Sequence, residues 1–218
     1  MSTMDQIQKE IGMYGRILGA VVCLFAGAAM AAEYAPSAID GWQSIIFKGH
    51  TDYQRDGECV RATSSQAASG LIQEVNQPLA SNPILTWRWQ ADAPIKPGKN
   101  APEKDKEGDD FVARAYVIQE GFFPWQTKAL NYVWSREHPV GSYWPNPFTS
   151  NAMMVVVQTG ESGLGEWHTF QRDVRADFKT YFDIDAHTAD AVAVMTDTDN
   201  TGGTAQACYQ LPAFEVTK

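Results

Sequence analysis

Hydrophobic and polar positions alternate along much of the chain, as they do in strands that bury one face of a sheet. The clearest case is residues 83–90. Leu85, Trp87 and Trp89 share one side of this predicted strand, and the polar residues between them share the other. Residues 191–195 are instead apolar at every position, which predicts a strand covered on both faces.

The same pattern predicts further strands, turns and loops, and a single helix. Strands are expected at residues 38–48, 59–65, 109–117, 129–135, 152–159, 167–170 and 206–216. Val174, Phe178 and Tyr181 recur at helical spacing and predict a helix over residues 173–182. Residues 91–108 contain three prolines and many charges, which predicts an exposed loop. Many strands with one helix indicate an all-β fold, a β-sandwich of jelly-roll type.

Composition narrows the classes of partner. The chain has 218 residues and a net charge of −9, from 17 Lys and Arg against 26 Asp and Glu. An acidic surface without a cluster of basic residues repels phosphates, which excludes nucleic acids and anionic lipid headgroups as partners. Seven Trp and eight Tyr supply rings that either fill a core or stack on a ligand.

The amino end has the features of a secretory signal peptide. Two basic residues precede an apolar run at residues 17–30, and residues 29–31 have the small-x-small form that signal peptidase cleaves. We therefore expect a signal peptide at residues 1–31 and one periplasmic or secreted domain at residues 32–218, with no membrane span after cleavage. An uncleaved anchor is the alternative, because the run approaches the roughly twenty apolar residues of a membrane helix.

Two cysteines remain after loss of the predicted signal peptide, Cys59 and Cys208. An even number of cysteines in an exported chain favours a disulfide between them. Two separate buried thiols are the alternative, since sequence does not fix the distance between the two residues.

An acidic, glycine-ended loop follows the apolar strand at residues 191–195. Asp197, Asp199 and Thr201 stand at alternate positions before Gly202, which resembles the first half of a calcium-binding loop. The second half, with its bidentate Glu, is missing. Two interpretations remain open: a hairpin turn with solvated carboxylates, or a site for a structural calcium ion.

An ordered set of short motifs runs through nearly the whole predicted mature chain. They are Trp87-Arg88-Trp89, Asp109-Asp110-Phe111-Val112-Ala113-Arg114, Tyr132-Val133-Trp134, Arg172-Asp173-Val174 with Asp177-Phe178, and Thr196-Asp197-Thr198-Asp199-Asn200-Thr201. In this order they resemble the bacterial family called domain of unknown function 3047. The resemblance implies an exported bacterial protein and assigns no catalytic residues. Its strand pattern is similar to galactose-binding-like jelly rolls, an analogy of fold only.

The predicted strands also suggest a ligand site. Arg88, Asp110, Arg114 and Tyr116 are expected on one face of the sheet, where they would meet sugar hydroxyls. Either of two further residues, Trp125 or Trp144, would stack on the apolar side of the sugar ring. The alternative for the polar residues is a network of cross-strand contacts with no ligand.

Catalysis is the less favoured interpretation. The chain contains neither a nucleophile elbow nor closely spaced histidines. Asp110 with Asp197 or Asp199 would supply the two carboxylates of a glycosidase. However, the neighbouring Arg114 would hold Asp110 ionised, which does not suit a general acid. We therefore predict a non-catalytic binding module for a carbohydrate or another polar envelope ligand. The alternatives are an accessory protein that contacts an envelope partner through the aromatic loop at residues 136–151, and a carbohydrate-active enzyme.

Overall fold

The computed structural model of the protein describes residues 33–36 and 39–214. Within these ranges the chain forms thirteen strands, one α-helix and one 3₁₀ turn at Pro124–Gln126. The helix, α1, is Val174–Phe182. The strands are β1 Glu33–Pro36, β2 Gln43–Lys48, β3 Asp52–Asp56, β4 Cys59–Ser65, β5 Ala68–Pro78, β6 Ile84–Gln90, β7 Arg114–Gln119, β8 Lys128–Ser135, β9 Tyr143–Asn146, β10 Thr149–Thr159, β11 His168–Asp173, β12 Thr188–Asp197 and β13 Thr204–Phe214.

The strands form two sheets that pack face to face. The larger sheet has eight strands in the order β1-β2-β5-β12-β7-β8-β10-β9, and the smaller has five in the order β11-β6-β13-β4-β3. β8 and β10 run parallel, whereas the other pairs in the described chain run antiparallel. The predicted all-β sandwich of jelly-roll type with one short helix is confirmed.

Aromatic side chains fill the space between the sheets. Trp87 and Trp89 on β6 are almost fully buried, as the alternation of residues 83–90 predicts. The Trp87 ring stacks on Tyr132 of the larger sheet at 5.0 Å between ring centroids and on Phe170 at 5.2 Å. Such ring pairs stabilise a core beyond the area that they bury. Here they join β6 to β8 of the larger sheet and to β11, its neighbour in the smaller sheet.

Helix α1 is fixed at both ends. The Asp173 carboxylate caps its start by accepting a hydrogen bond from the Ala176 amide at 2.9 Å. Asp183 adopts a left-handed conformation with φ of 57° and ends the helix. Asp177 accepts hydrogen bonds from the Tyr132 hydroxyl at 2.7 Å and from Arg172 Nε at 2.8 Å, so one carboxylate ties the helix to both sheets.

The disulfide prediction is also confirmed. Cys59 of β4 and Cys208 of β13 are joined, with 5.7 Å between their Cα atoms. The two strands are neighbours in the smaller sheet. Disulfides persist in oxidising compartments, which is consistent with an exported protein.

Several local predictions need correction. The strand expected at residues 109–117 starts only at Arg114, because the five residues before it bend away to join the acidic loop. The segment 91–108 is not simply exposed, since Glu103 within it is fully buried and accepts hydrogen bonds from Ser135 and Arg136. Strand β9 lies inside the predicted aromatic loop.

The predicted signal peptide, residues 1–31, lies outside the described residues. Among the helices that the structure does describe, none has the length and apolar character needed to cross a bilayer.

Candidate functional site

A buried ion pair lies at one end of the larger sheet. Arg114 begins β7 and Asp197 ends the adjacent β12. The Arg114 Nε donates to Asp197 Oδ1 at 2.7 Å, and Nη2 donates to Oδ2. Their side chains are only 4% and 2% exposed. Two parallel hydrogen bonds between a guanidinium and a carboxylate fix both groups in one geometry.

Asp109 is the second carboxylate beside this guanidinium. Its Oδ2 lies 3.6 Å from Arg114 Nη1 and accepts a hydrogen bond from Asn146 Nδ2 at 2.9 Å. Its other oxygen, Oδ1, has no hydrogen-bond partner among the described residues. Burial raises the pKa of Asp109 to about 6, although Arg114 acts in the opposite direction.

Asp110 holds the acidic loop in place. Its carboxylate accepts hydrogen bonds from the Asn200 amide at 3.1 Å, the Thr201 amide at 2.6 Å and the Thr201 hydroxyl at 2.6 Å. Asp110 is fully buried. A carboxylate that accepts several such bonds stabilises the loop that donates them, so the predicted motif 109–114 and the acidic loop form one structural unit.

The residues considered as calcium ligands lie close together, and Asp110 lies among them. Asp197, Asp199 and Asp110 each place a carboxylate oxygen within 4.8 Å of the others, while the Thr201 hydroxyl is directed at Asp110. Arg114 already provides the positive charge at Asp197. A cation at this place would compete with the guanidinium for the Asp197 carboxylate.

The same contacts bear on glycoside hydrolysis. Asp110 and Asp197 are buried, and their oxygens are engaged by the acidic loop and by Arg114. A glycosidase needs two carboxylates that face a sugar across a gap. The arrangement found here is a salt-bridge network that joins strand ends.

The predicted ligand-binding face is divided between the two sheets. Arg88 lies on β6 of the smaller sheet, with its guanidinium carbon 5.1 Å from the centre of the Trp167 ring. Arg114 and Tyr116 lie on β7 of the larger sheet, where they are buried. The expectation of one shared face is therefore wrong, since alternation within a strand does not say to which sheet that strand belongs.

The two tryptophans predicted to stack on a sugar differ in exposure. Trp144 on β9 is only 7% exposed. It packs against His138, 4.8 Å away between ring centroids, and the ammonium of Lys104 covers it at 5.1 Å. Trp125 is 66% exposed at the tip of the β7–β8 connection. Of the two, Trp125 is the ring that is accessible from solvent.

Phe122, Phe123 and Trp125 form an exposed group that we call the aromatic hairpin. Phe122 is 90% exposed. The Phe123 and Trp125 rings are stacked, with centroids 4.6 Å apart and planes 6° from parallel. The Trp125 carbonyl accepts a hydrogen bond from Asn151 at 3.0 Å, and the Phe123 amide donates to the Gln126 side chain at 3.0 Å. The sequence points to Trp125, but the support from Phe123 appears only in the structure.

Known structures share this fold at low sequence identity. A family 12 glycoside hydrolase superposes with a TM-score of 0.51 and 10% identity, covering 88% of this chain and 100% of its own. The xyloglucanase domain of NopAA from Sinorhizobium fredii gives 0.48 and 9%, with 88% and 100% covered. The family 11 xylanase from Neocallimastix patriciarum gives 0.45 and 9%, with 85% and 95% covered. At such identities the likeness concerns the fold alone.

Sequence comparison identifies the family. No curated protein matches the sequence. The profile of one family, described as a protein of unknown function (DUF3047), matches residues 40–211. This range includes the strand motifs, the buried ion pair, the acidic loop and the aromatic hairpin, and the chain therefore belongs to the DUF3047 family.

Proposed function

We propose that the protein is an exported, non-catalytic module that binds carbohydrate, and that the sugar stacks on Trp125 of the aromatic hairpin. The exposure of this ring, 66%, is the observation that carries the proposal. Burying an aromatic side chain stabilises a fold by roughly 1.5 to 3 kcal/mol. Phe122, Phe123 and Trp125 are neighbours that stay exposed and lack this stabilisation. A cluster of exposed aromatic side chains is typical of an interaction site.

The geometry of the hairpin suits a flat ligand. Phe123 covers one face of the Trp125 indole in a parallel stack, which leaves the opposite face for a second planar or ring-shaped group. The hydrogen bond from Asn151 to the Trp125 carbonyl connects the hairpin to β10. A ring that is held before binding loses little conformational entropy on contact with a ligand.

Polar groups beside the ring match the hydroxyls of a sugar. Lys128 Nζ donates to Asn151 Oδ1 at 2.5 Å, and the Asn151 amide nitrogen donates to the Trp125 carbonyl. This pair lies next to the aromatic hairpin and offers both donors and acceptors. Apolar stacking combined with a few polar contacts is the usual composition of a small-molecule site.

Two further considerations favour carbohydrate. The chain carries a net charge of −9, so insertion of the hairpin into an anionic membrane surface would be opposed electrostatically. The fold is shared with a family 12 glycoside hydrolase, and this analogy raises the expectation of a carbohydrate ligand without supplying a site.

A glycan array, followed by sedimentation with insoluble polysaccharides, tests the proposal on the purified protein. Trp125→Ala should weaken binding more than tenfold, because loss of a central aromatic contact costs about 2 kcal/mol or more. Trp125→Phe should retain part of the affinity, since a ring remains. Melting temperatures should be unchanged because the side chain is exposed.

Tyr143→Ala is the matched control. Tyr143 is 59% exposed but lies on β9, so its loss should leave sugar binding intact. Glycan binding that persists in Trp125→Ala, or no binding to any glycan, would overturn the proposal.

A second candidate function is contact with an envelope protein. Val140 and Tyr143 are both exposed, and the Tyr143 ring lies 5.1 Å from Tyr181 of α1. They form an apolar surface in the predicted aromatic loop. If this surface binds a partner, Tyr143→Ala should remove a co-purifying protein that Trp125→Ala retains.

A further inference from the structure

A cavity of about 190 Å³ lies beside the carboxyl end of β8. Its walls come from Ile95 and Val112 in the β6–β7 connection, from Trp134 and Arg136, and from Gly160 and Glu161 after β10. β8 has eight residues, so at about 3.4 Å per residue the cavity lies roughly 25 Å from the aromatic hairpin at the other end. The two places are separate surfaces.

One wall of the cavity is apolar and rigid. Ile95, Val112 and Trp134 are buried members of the main core. The Trp134 indole donates to the Gly160 carbonyl at 2.9 Å, which fixes the ring and the turn together. This wall can contact the C–H groups of a ligand without rearrangement.

The other wall carries two opposite charges that do not meet. Arg136 Nε lies 3.3 Å from Glu103 Oε1, and Nη2 donates to the Ala101 carbonyl at 3.0 Å. Arg136 is therefore held in one position. Glu161 is exposed at the rim, and in the described part of the chain no ion pair joins it to Arg136. A ligand between them would meet donors on one side and acceptors on the other.

The charges around the cavity favour a neutral ligand. Buried Glu103 already balances the charge of Arg136, and Glu161 adds a negative charge at the rim. An anion would find no unpaired positive charge, and a cation would meet only Glu161, which is exposed and screened by water. Neighbouring hydroxyls can accept from a guanidinium and donate to a carboxylate without any net charge.

We propose that this cavity binds one neutral, hydroxyl-bearing ring of monosaccharide size. Ligand pockets for drug-sized molecules occupy about 300 to 1,000 Å³, so a smaller cavity limits the ligand to a single ring. Its apolar face contacts Trp134 and Val112, and its hydroxyls bridge Arg136 and Glu161. The site is independent of the aromatic hairpin.

Calorimetry and saturation-transfer NMR with neutral monosaccharides and cyclic polyols test the proposal on the purified protein. We expect saturable binding of at least one of them at millimolar affinity. Glu161→Trp should abolish it by placing a bulky side chain over the mouth, and Glu161→Gln should weaken it severalfold. Glu166→Trp, an exposed substitution in the same turn, is the matched control and should retain binding.

Three outcomes would overturn the inference. They are no binding of any neutral ring up to about 50 mM, binding that survives Glu161→Trp, and a preference for α-amino acids or carboxylates over neutral sugars. Trp125→Ala separates this site from the proposed function, because it should leave monosaccharide binding unchanged. Conversely, Glu161→Trp should leave polysaccharide binding at the hairpin intact.

Discussion

Arg114 and Asp197 form a buried, two-pronged ion pair between residues that are 83 positions apart in the sequence. The pair closes the end of the larger sheet, where β7 and β12 lie side by side. Asp109 and Asp110 complete the cluster by contacting the guanidinium and the acidic loop. The burial of these side chains and their mutual hydrogen bonds give this cluster a structural role.

Arg114→Met should destabilise the protein by about 3 to 5 kcal/mol, because it leaves the buried Asp197 carboxylate without its partner. Urea denaturation measures the change. Arg175→Met is the control, because Arg175 pairs with Asp185 at the surface and this variant should change stability little. A stable Arg114→Met protein that no longer binds ligand would instead support the ligand-binding role predicted from sequence.

Asp109→Asn should change how stability depends on pH. The folded pKa of Asp109, about 6, lies above its ordinary value of 3.8. Between these values the native state keeps a proton that the unfolded chain has lost, so stability falls as pH rises from about 4 to about 6. A pKa difference of about two units corresponds to a loss of at most about 3 kcal/mol in the free energy of unfolding.

Replacing the Asp109 carboxylate by a neutral amide should abolish this fall in stability with rising pH. Asp109→Asn should therefore be more stable than the unmodified protein at pH 7.5 and similar at pH 4, as measured by denaturant titration. Asp40→Asn, at a fully exposed carboxylate, should not alter the profile. A parallel profile for Asp109→Asn and the unmodified protein would show that folding does not raise the pKa of Asp109.

Reduction of the Cys59–Cys208 disulfide should lower stability strongly. The two residues are 149 positions apart, and cross-linking a loop of this length stabilises by about 5 kcal/mol in the chain-entropy model. For a domain of this size that is roughly 10 to 20 °C in melting temperature. The double variant Cys59→Ser/Cys208→Ser should melt at the reduced value and show no response to reductant. Equal melting with and without reductant would contradict the prediction.

Calcium and chelators should leave the melting temperature unchanged. The oxygens of Asp197 and Asp110 already accept hydrogen bonds from Arg114 and the acidic loop, and a cation would have to compete with these donors. Differential scanning fluorimetry with calcium and with EDTA measures the effect. A rise in melting temperature with calcium that disappears in Asp199→Asn would instead support the calcium-site interpretation of the acidic loop.

Local pattern predicts those parts of the fold that depend on a single strand or helix. The alternation around Trp87 gives β6 its buried face, and the spacing of Val174 and Phe178 gives α1 its inward side. The edge strands β3 and β9 are missed, whereas the edge strand β11 is predicted. β3, Asp52–Asp56, is mostly polar and exposed, so nothing in its sequence distinguishes it from a loop.

The errors in the predicted site arise from contacts between residues that are far apart in the sequence. The residues of the acidic cluster are visible as motifs, but their mutual contacts join segments about 80 to 90 positions apart. The separation of Arg88 from Arg114 has the same origin, since strand order within a sandwich is set by the whole chain. Of the two rings predicted to stack on a sugar, Trp125 is exposed and Trp144 is buried; the sequence does not distinguish them.

The central place of β12 has a consequence for how the chain matures. β12 lies between β5 and β7, so the larger sheet stays in two unconnected parts until residues 188–197 have been made. Pairing of such distant segments is slow, so the larger sheet is completed late in folding. A chain truncated before Thr188 should therefore show no cooperative unfolding by circular dichroism.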